Sequence, residues 1–203
     1  MKILLTDDHA VVRHGLKQIL ADEFKKATFG EARNAHEALN KVWKEDWDVV
    51  VLDITMPGRS GLEVLREIKK SKPKLPVLVL SMHPEGQFAV RVLKRGASGY
   101  MTKESAPEEL VGAIKKVLAG GRYVSNSLAE KLANYLSDGE TQKPPQEKLS
   151  DREFQVLRLI ASGKIVSEIA KELSLSVKTI STYRSRILEK MNFKSNADIT
   201  YTP

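Results

Sequence analysis

Five side chains at the ends of apolar runs carry the chemistry of this 203-residue sequence. Asp7 and Asp8 close Ile3-Leu4-Leu5-Thr6, and Asp53 closes Val49-Val50-Val51-Leu52. Ser81 follows Val77-Leu78-Val79-Leu80, and Lys103 follows Gly99-Tyr100-Met101-Thr102. Three carboxylates, a hydroxyl and an amine in one place suit a hard cation and an anionic group. Two ionised carboxylates about 4 Å apart repel by roughly 4 kcal/mol at an effective dielectric near 20, so three of them call for a counter-charge. A divalent ion with oxygen ligands supplies it, and Mg²⁺ suits few carboxylates, waters and a transferred phosphoryl group. A single Asp at a strand end is more often a turn or helix cap, and Asp7 alone could cap a helix starting near His9. Caps do not account for Ser81 or Lys103. A carboxylate is a weak nucleophile, so in-line attack on phosphorus relies on the cation and Lys103 to neutralise equatorial charge. The product would be an acyl phosphate, labile enough to act as a timer.

Positioning such groups requires a particular scaffold. The apolar runs at 3–6, 48–53 and 77–80 are continuous rather than alternating, which predicts buried parallel strands; 27–32 and 99–101 are weaker candidates. Helical patterns separate them at 11–24, 35–44, 61–70, 87–94 and 106–118. The expectation is an α/β fold, a doubly wound five-stranded parallel sheet, followed by a small all-α domain. Ligands of such sheets sit outside the carboxyl ends of the strands, where the five residues lie. A further helix is expected over 128–136, then a linker over 137–147 that lacks apolar residues and holds Pro144-Pro145. The domain boundaries read 1–121, 122–148 for helix and linker, and 149–203.

The second domain opens with Ser150-Asp151-Arg152-Glu153, a capping box. A helix rich in Phe154, Val156, Leu157, Leu159 and Ile160 stops near Gly163. A short helix with Ile169, Ala170 and Leu173 follows, then a longer basic one capped by Ser176, with Val177, Ile180, Ile187, Leu188 and Met191 as its apolar positions. This is a helix-turn-helix pattern. Residues 148–203 hold ten Lys and Arg against six Asp and Glu, and between Lys178 and Lys194 the balance is five to one. A basic excess on one helix is the footprint of a phosphate-backbone binder, although charge alone would fit a solvated face.

Asp7-Asp8, Asp53-Ile54-Thr55-Met56-Pro57-Gly58, Ser81 and Gly96-Ala97-Ser98-Gly99-Tyr100-Met101-Thr102-Lys103 resemble the receiver domains of two-component response regulators. The resemblance implies that Asp53 accepts phosphoryl from the phosphohistidine of a sensor histidine kinase. It implies that Asp8 and Asp53 ligate Mg²⁺ directly, with the Thr55 backbone carbonyl as a third oxygen and Asp7 holding a metal-bound water. Ser81 and Lys103 would contact phosphoryl oxygens, and Tyr100 would be an aromatic switch that turns inward. Leu149-Ser150-Asp151-Arg152-Glu153, Ile160-Ala161-Ser162-Gly163, Glu168-Ile169-Ala170 and Thr179-Ile180 resemble the LuxR-type helix-turn-helix, so the whole is similar to NarL/FixJ-type response regulators. That resemblance places Ser181, Thr182 and Ser185 at bases and Lys178, Thr179, Arg184 and Arg186 at phosphates, with Tyr183 on the same helix. Lys190 is a further phosphate candidate by charge.

The partners expected are a sensor histidine kinase, double-stranded DNA, a second copy of the chain on phosphorylation, and RNA polymerase. A last short helix capped by Ser195, with Ala197 and Ile199 apolar and Tyr201 two residues on, leaves about two turns, so 148–203 alone is expected to dimerise poorly. No apolar stretch approaches the roughly 20 residues of a membrane span, and none resembles a signal peptide. With no cysteine, a thiolate metal site is excluded and the expected location is cytoplasmic. A dehalogenase-type phosphohydrolase needs a second Asp two residues after the nucleophile, where Thr55 stands. A nicotinamide enzyme needs Gly-x-Gly-x-x-Gly after the first strand, which is absent. The chain is therefore not expected to be an enzyme beyond its own phosphorylation and dephosphorylation.

Overall fold

The computed structural model describes residues 1–82, 85–137 and 148–200, so His83, the linker region 138–147 and Tyr201 lie outside the described residues. Two compact units are present, Met1–Ser137 and Asp138–Pro203. In the first, strands and helices alternate: β1 Lys2–Thr6, α1 Ala10–Glu23, β2 Thr28–Ala32, α2 Ala35–Lys44, β3 Val49–Asp53, α3 Gly61–Ser71, β4 Val77–Ser81, α4 Glu85–Lys94, β5 Gly99–Thr102, α5 Ala106–Leu118 and α6 Asn126–Ser137. All pairings are parallel, in the order β2-β1-β3-β4-β5. The order reverses at β1, next to β3, which is where a doubly wound sheet opens a crevice.

Period-two burial explains the layers. Ile3, Leu5, Val49, Val51, Leu78, Leu80 and Met101 cluster with Leu16 and Leu20 of α1 and Leu110, Ile114 and Val117 of α5. Their neighbours Leu4, Val50, Leu52, Val79 and Tyr100 point to the other face and are equally buried. β1, β3 and β4 thus read as unbroken apolar runs because both faces are covered. The expected strand at 48 begins at Val49, since the Asp48 carboxylate accepts the Lys2 backbone N–H at 2.6 Å. The helix after Arg122 packs on α4 and belongs to the first compact unit.

The second unit holds α7 Asp151–Ala161, α8 Val166–Glu172, α9 Val177–Met191 and α10 Asn196–Thr200. The capping box is formed: Ser150 Oγ accepts the Glu153 N–H at 3.3 Å and Glu153 Oε2 accepts the Ser150 N–H at 2.7 Å. Gly163 ends α7 at φ +85, a conformation that glycine adopts without strain. Ile169, Ala170, Ile180, Ile187 and Met191 are buried where α7, α8 and α9 meet. Val177 departs from its expected apolar position; it is 53% exposed at the first turn of α9. At the start of α10 it is Asp198 that accepts the backbone N–H groups of Lys194 and Ser195, at 2.7 and 2.9 Å.

Candidate functional site

Strand register brings the acidic side chains together. Asp53 pairs with Leu80, and Ser81 with Thr102, so the carboxyl ends of β3, β4 and β5 lie side by side. The Asp7 N–H donates to Ala32 O at 3.1 Å, extending β1 by one residue, and the Lys103 N–H donates to Ser81 O at 2.7 Å, extending β5. Lys103 Nζ then reaches 2.8 Å from Asp53 Oδ2 and 2.6 Å from Asp7 Oδ2. Asp53 Oδ1 accepts the Thr55 N–H at 2.9 Å. Asp7, Asp53, Ser81 and Tyr100 are buried.

Helix α3 supports this arrangement from behind. Ser60 and Glu63 form a second capping box at its start, and the Gly61 N–H donates to Ile54 O at 2.9 Å. A Cβ on Gly61 would stand 2.0 Å from the Asp53 carbonyl oxygen, so only glycine lets the helix approach the residue so closely.

Burial pushes the Asp53 carboxyl up to about 6, against the attraction of Lys103 and with the repulsion of Asp7. Burial opposes the charge on Lys103, but Asp53 and Asp7 outweigh it and its pKa is raised. For the metal-free protein the consequence has a definite sign. Ionising Asp53 costs more folded than unfolded, so the penalty is absent below about pH 4 and complete above about pH 6. Asp53→Asn is therefore expected to stabilise the first unit at pH 7.5 in EDTA by up to about 3 kcal/mol, with no gain at pH 4. Denaturant unfolding at the two pH values measures it.

The ligating atoms of Asp7, Asp8, His9 and Asp53 lie within 4.8 Å of one another. Asp8 Oδ1 is buried and accepts no hydrogen bond among the described residues, a placement that suits a cation with oxygen ligands. His9 was not among the residues singled out from sequence. Its Nδ1 lies 3.1 Å from Asp8 Oδ1 and 3.3 Å from Asp7 Oδ1, and its adjacency to the Asp pair was the available signal. Met82, next to Ser81, is 73% exposed.

On the second unit, Ser176 Oγ caps α9 by accepting the Thr179 N–H at 3.0 Å. Lys178, Ser181, Thr182 and Ser185 are exposed at i, i+3, i+4 and i+7, one face of the helix. Thr182 and Ser185 donate their hydroxyls to the carbonyls of Lys178 and Ser181, so each oxygen keeps the capacity to accept. A recess of about 290 Å³ is lined by Ser176, Lys178, Thr179, Thr182, Tyr183 and Arg186. Arg184 is half-buried, its Nε 2.6 Å from Asn196 Oδ1. Lys190 is engaged elsewhere: its Nζ lies 2.6 Å from the buried Glu153, so it fastens α9 to the start of α7.

Residues 3–115 match the response regulator receiver domain, and residues 147–202 match the luxR family of bacterial regulatory proteins. The chain belongs to the two-component response regulators of the NarL/FixJ type: a phosphorylation-dependent transcription regulator that binds DNA through a C-terminal helix-turn-helix. It is 36% identical to the response regulator UvrY of Escherichia coli over 99% of this chain and 92% of that protein. It is 38% identical to GacA of Pseudomonas aeruginosa over 98% and 93%. Among solved structures, RcsB of Salmonella enterica serovar Typhimurium, bound to promoter rprA in the presence of phosphomimetic BeF3⁻, is 29% identical over 98% of this chain and 96% of that one, with a TM-score of 0.66. Among the described residues no helix is long and apolar enough to cross a membrane.

Proposed function

We propose that Asp53 is the phosphoacceptor of a Mg²⁺-dependent receiver, spanning about 1–121, whose phosphorylation controls DNA binding by 149–203. The observation that carries this reading is Lys103 Nζ between Asp53 and Asp7, at 2.8 and 2.6 Å, with a carboxylate oxygen of Asp8 within 4.8 Å of theirs. Asp8, Asp53 and the Thr55 carbonyl would hold Mg²⁺, and Asp7 a water on it; the ion would supply charge neutralisation on the phosphoryl oxygens. An Asp53 oxygen attacks phosphorus as the bond to a kinase histidine nitrogen breaks, the nitrogen keeping the electron pair. Lys103 stabilises the negative charge on the transferred group, and the Ser81 hydroxyl donates to one of its oxygens. Tyr100, buried on β5, would be the aromatic switch that responds when Ser81 is drawn to the phosphoryl group.

On α9, Ser181, Thr182 and Ser185 read base edges, while Lys178, Thr179, Tyr183, Arg184 and Arg186 meet the backbone. The operator-bound form is a homodimer in the cytoplasm, with RNA polymerase as a further partner; the RcsB complex with promoter DNA in the presence of a phosphomimetic supports this direction. The test is an operator selected from random duplexes, then bound with and without a small phosphodonor. Phosphodonor is expected to tighten binding in Mg²⁺ and to change nothing in EDTA. Equal tightening in EDTA would contradict the metal dependence.

A further inference from the structure

We propose that Arg13 is the positioning residue of the cation site: its guanidinium locks the turn between β1 and α1 so that Asp8 is presented to the ion. The inference rests on the reading of the acidic pocket as a Mg²⁺ site. Arg13 lies in the first turn of α1 with its side chain only 13% exposed. Nη1 donates to the Asp7 backbone carbonyl at 2.8 Å. Nε stands 3.5 Å from Glu31 Oε2, and Lys17 Nζ is 2.9 Å from the other oxygen of that carboxylate. Lys17, with Arg13 behind it, holds Glu31 below the usual carboxylate range, so the anchor is ionised at neutral pH.

Asp7 is thereby held at every polar atom. Its N–H donates to Ala32 O and its Oδ1 accepts the His9 N–H at 2.8 Å. Its Oδ2 meets Lys103, and its carbonyl accepts from Arg13. Each of these partners except Arg13 belongs to the sheet, the turn itself or the phosphorylation chemistry. Among the described residues, Arg13 alone bonds the peptide joining Asp7 to Asp8, because the carbonyl it holds is half of that peptide. Rotation of this peptide would swing the Asp8 carboxylate out of reach of Asp7 and Asp53. A group that orients a metal ligand through one intermediate contact changes metal affinity by about 10- to 100-fold when removed.

The test is a titration of the full chain with MgCl₂ at pH 7.5, read as a binding isotherm and as the rise in melting midpoint over EDTA. Arg13→Ala is expected to weaken Mg²⁺ binding about 10-fold while its midpoint in EDTA keeps the first unit folded. Lys17→Ala removes the same charge beside Glu31 but leaves the Asp7 carbonyl bonded, and is expected to stay within about twofold of wild type. Glu31→Gln loosens the anchor with Arg13 in place; an intermediate loss is expected, and this variant carries the test should Arg13→Ala not fold. Equal affinities for wild type and Arg13→Ala, or equal losses in Arg13→Ala and Lys17→Ala, would overturn the proposal. Absence of Mg²⁺ binding by wild type would instead overturn the reading of the pocket, and this inference with it.

Discussion

Asp53→Asn takes up phosphoryl from a histidine kinase or a small phosphodonor at least about 10³-fold more slowly than wild type, the scale of losing a nucleophile. The substitution keeps shape and volume while replacing an anionic oxygen by an amide. Lys103 retains Asp7 as a partner at 2.6 Å, and Thr55 can still donate to the amide oxygen, so the pocket does not collapse. The intact mass of the protein after incubation with phosphodonor is the readout. Full phosphorylation of the Asn variant would move the acceptor elsewhere, with Asp8, the more exposed neighbour, as the first place to look.

Affinity for DNA falls about 10³-fold between 50 and 200 mM salt. A dimer presenting Lys178, Arg184 and Arg186 from each subunit neutralises roughly six phosphates, and each displaces condensed counterions. Lys190 adds nothing to this count, because its amine is engaged by Glu153. Arg184→Ala is expected to weaken all sequences about equally and to flatten the salt slope, whereas Ser181 or Thr182 variants change the preferred sequence. Equal losses on selected and random duplexes for all of them would remove the distinction between backbone and base contacts. Gel shifts at four salt concentrations suffice.

Much of the first unit was legible because parallel strands buried on both faces leave unbroken apolar runs, and four of the five strands lead into the residues that do chemistry. The capping box at Ser150 and the cap at Ser176 were equally plain, being local patterns. What escaped are contacts between residues far apart in sequence. Nothing near Lys190 announces Glu153, 37 positions earlier, so charge alone marked it as a phosphate binder. Arg13 lies within the helical pattern at 11–24 with no local mark of its own, since its role depends on where Asp7 and Glu31 come to rest. Val177 was read as apolar and therefore inward, but the first turn of a helix projects beyond its packed neighbours.

The short pairing of Tyr123 with β5 has a bearing on solubility. Tyr123 donates its N–H to Ser98 O at 2.9 Å and its carbonyl accepts the Tyr100 N–H at 3.3 Å, an isolated parallel bridge opposite Gly99. An outer strand with free amides is a template onto which another chain can add, the first step toward fibrous aggregation. At β5 the Tyr100 amide is already occupied by the segment that leaves the sheet, and a Cβ on Gly99 would meet the Tyr123 carbonyl at 2.7 Å. The opposite margin, β2, guards itself differently: it is only five residues long, and Glu31 on it sits in a cluster of charges with Lys17 and Arg13. Each flank of the sheet thus resists strand addition by its own means.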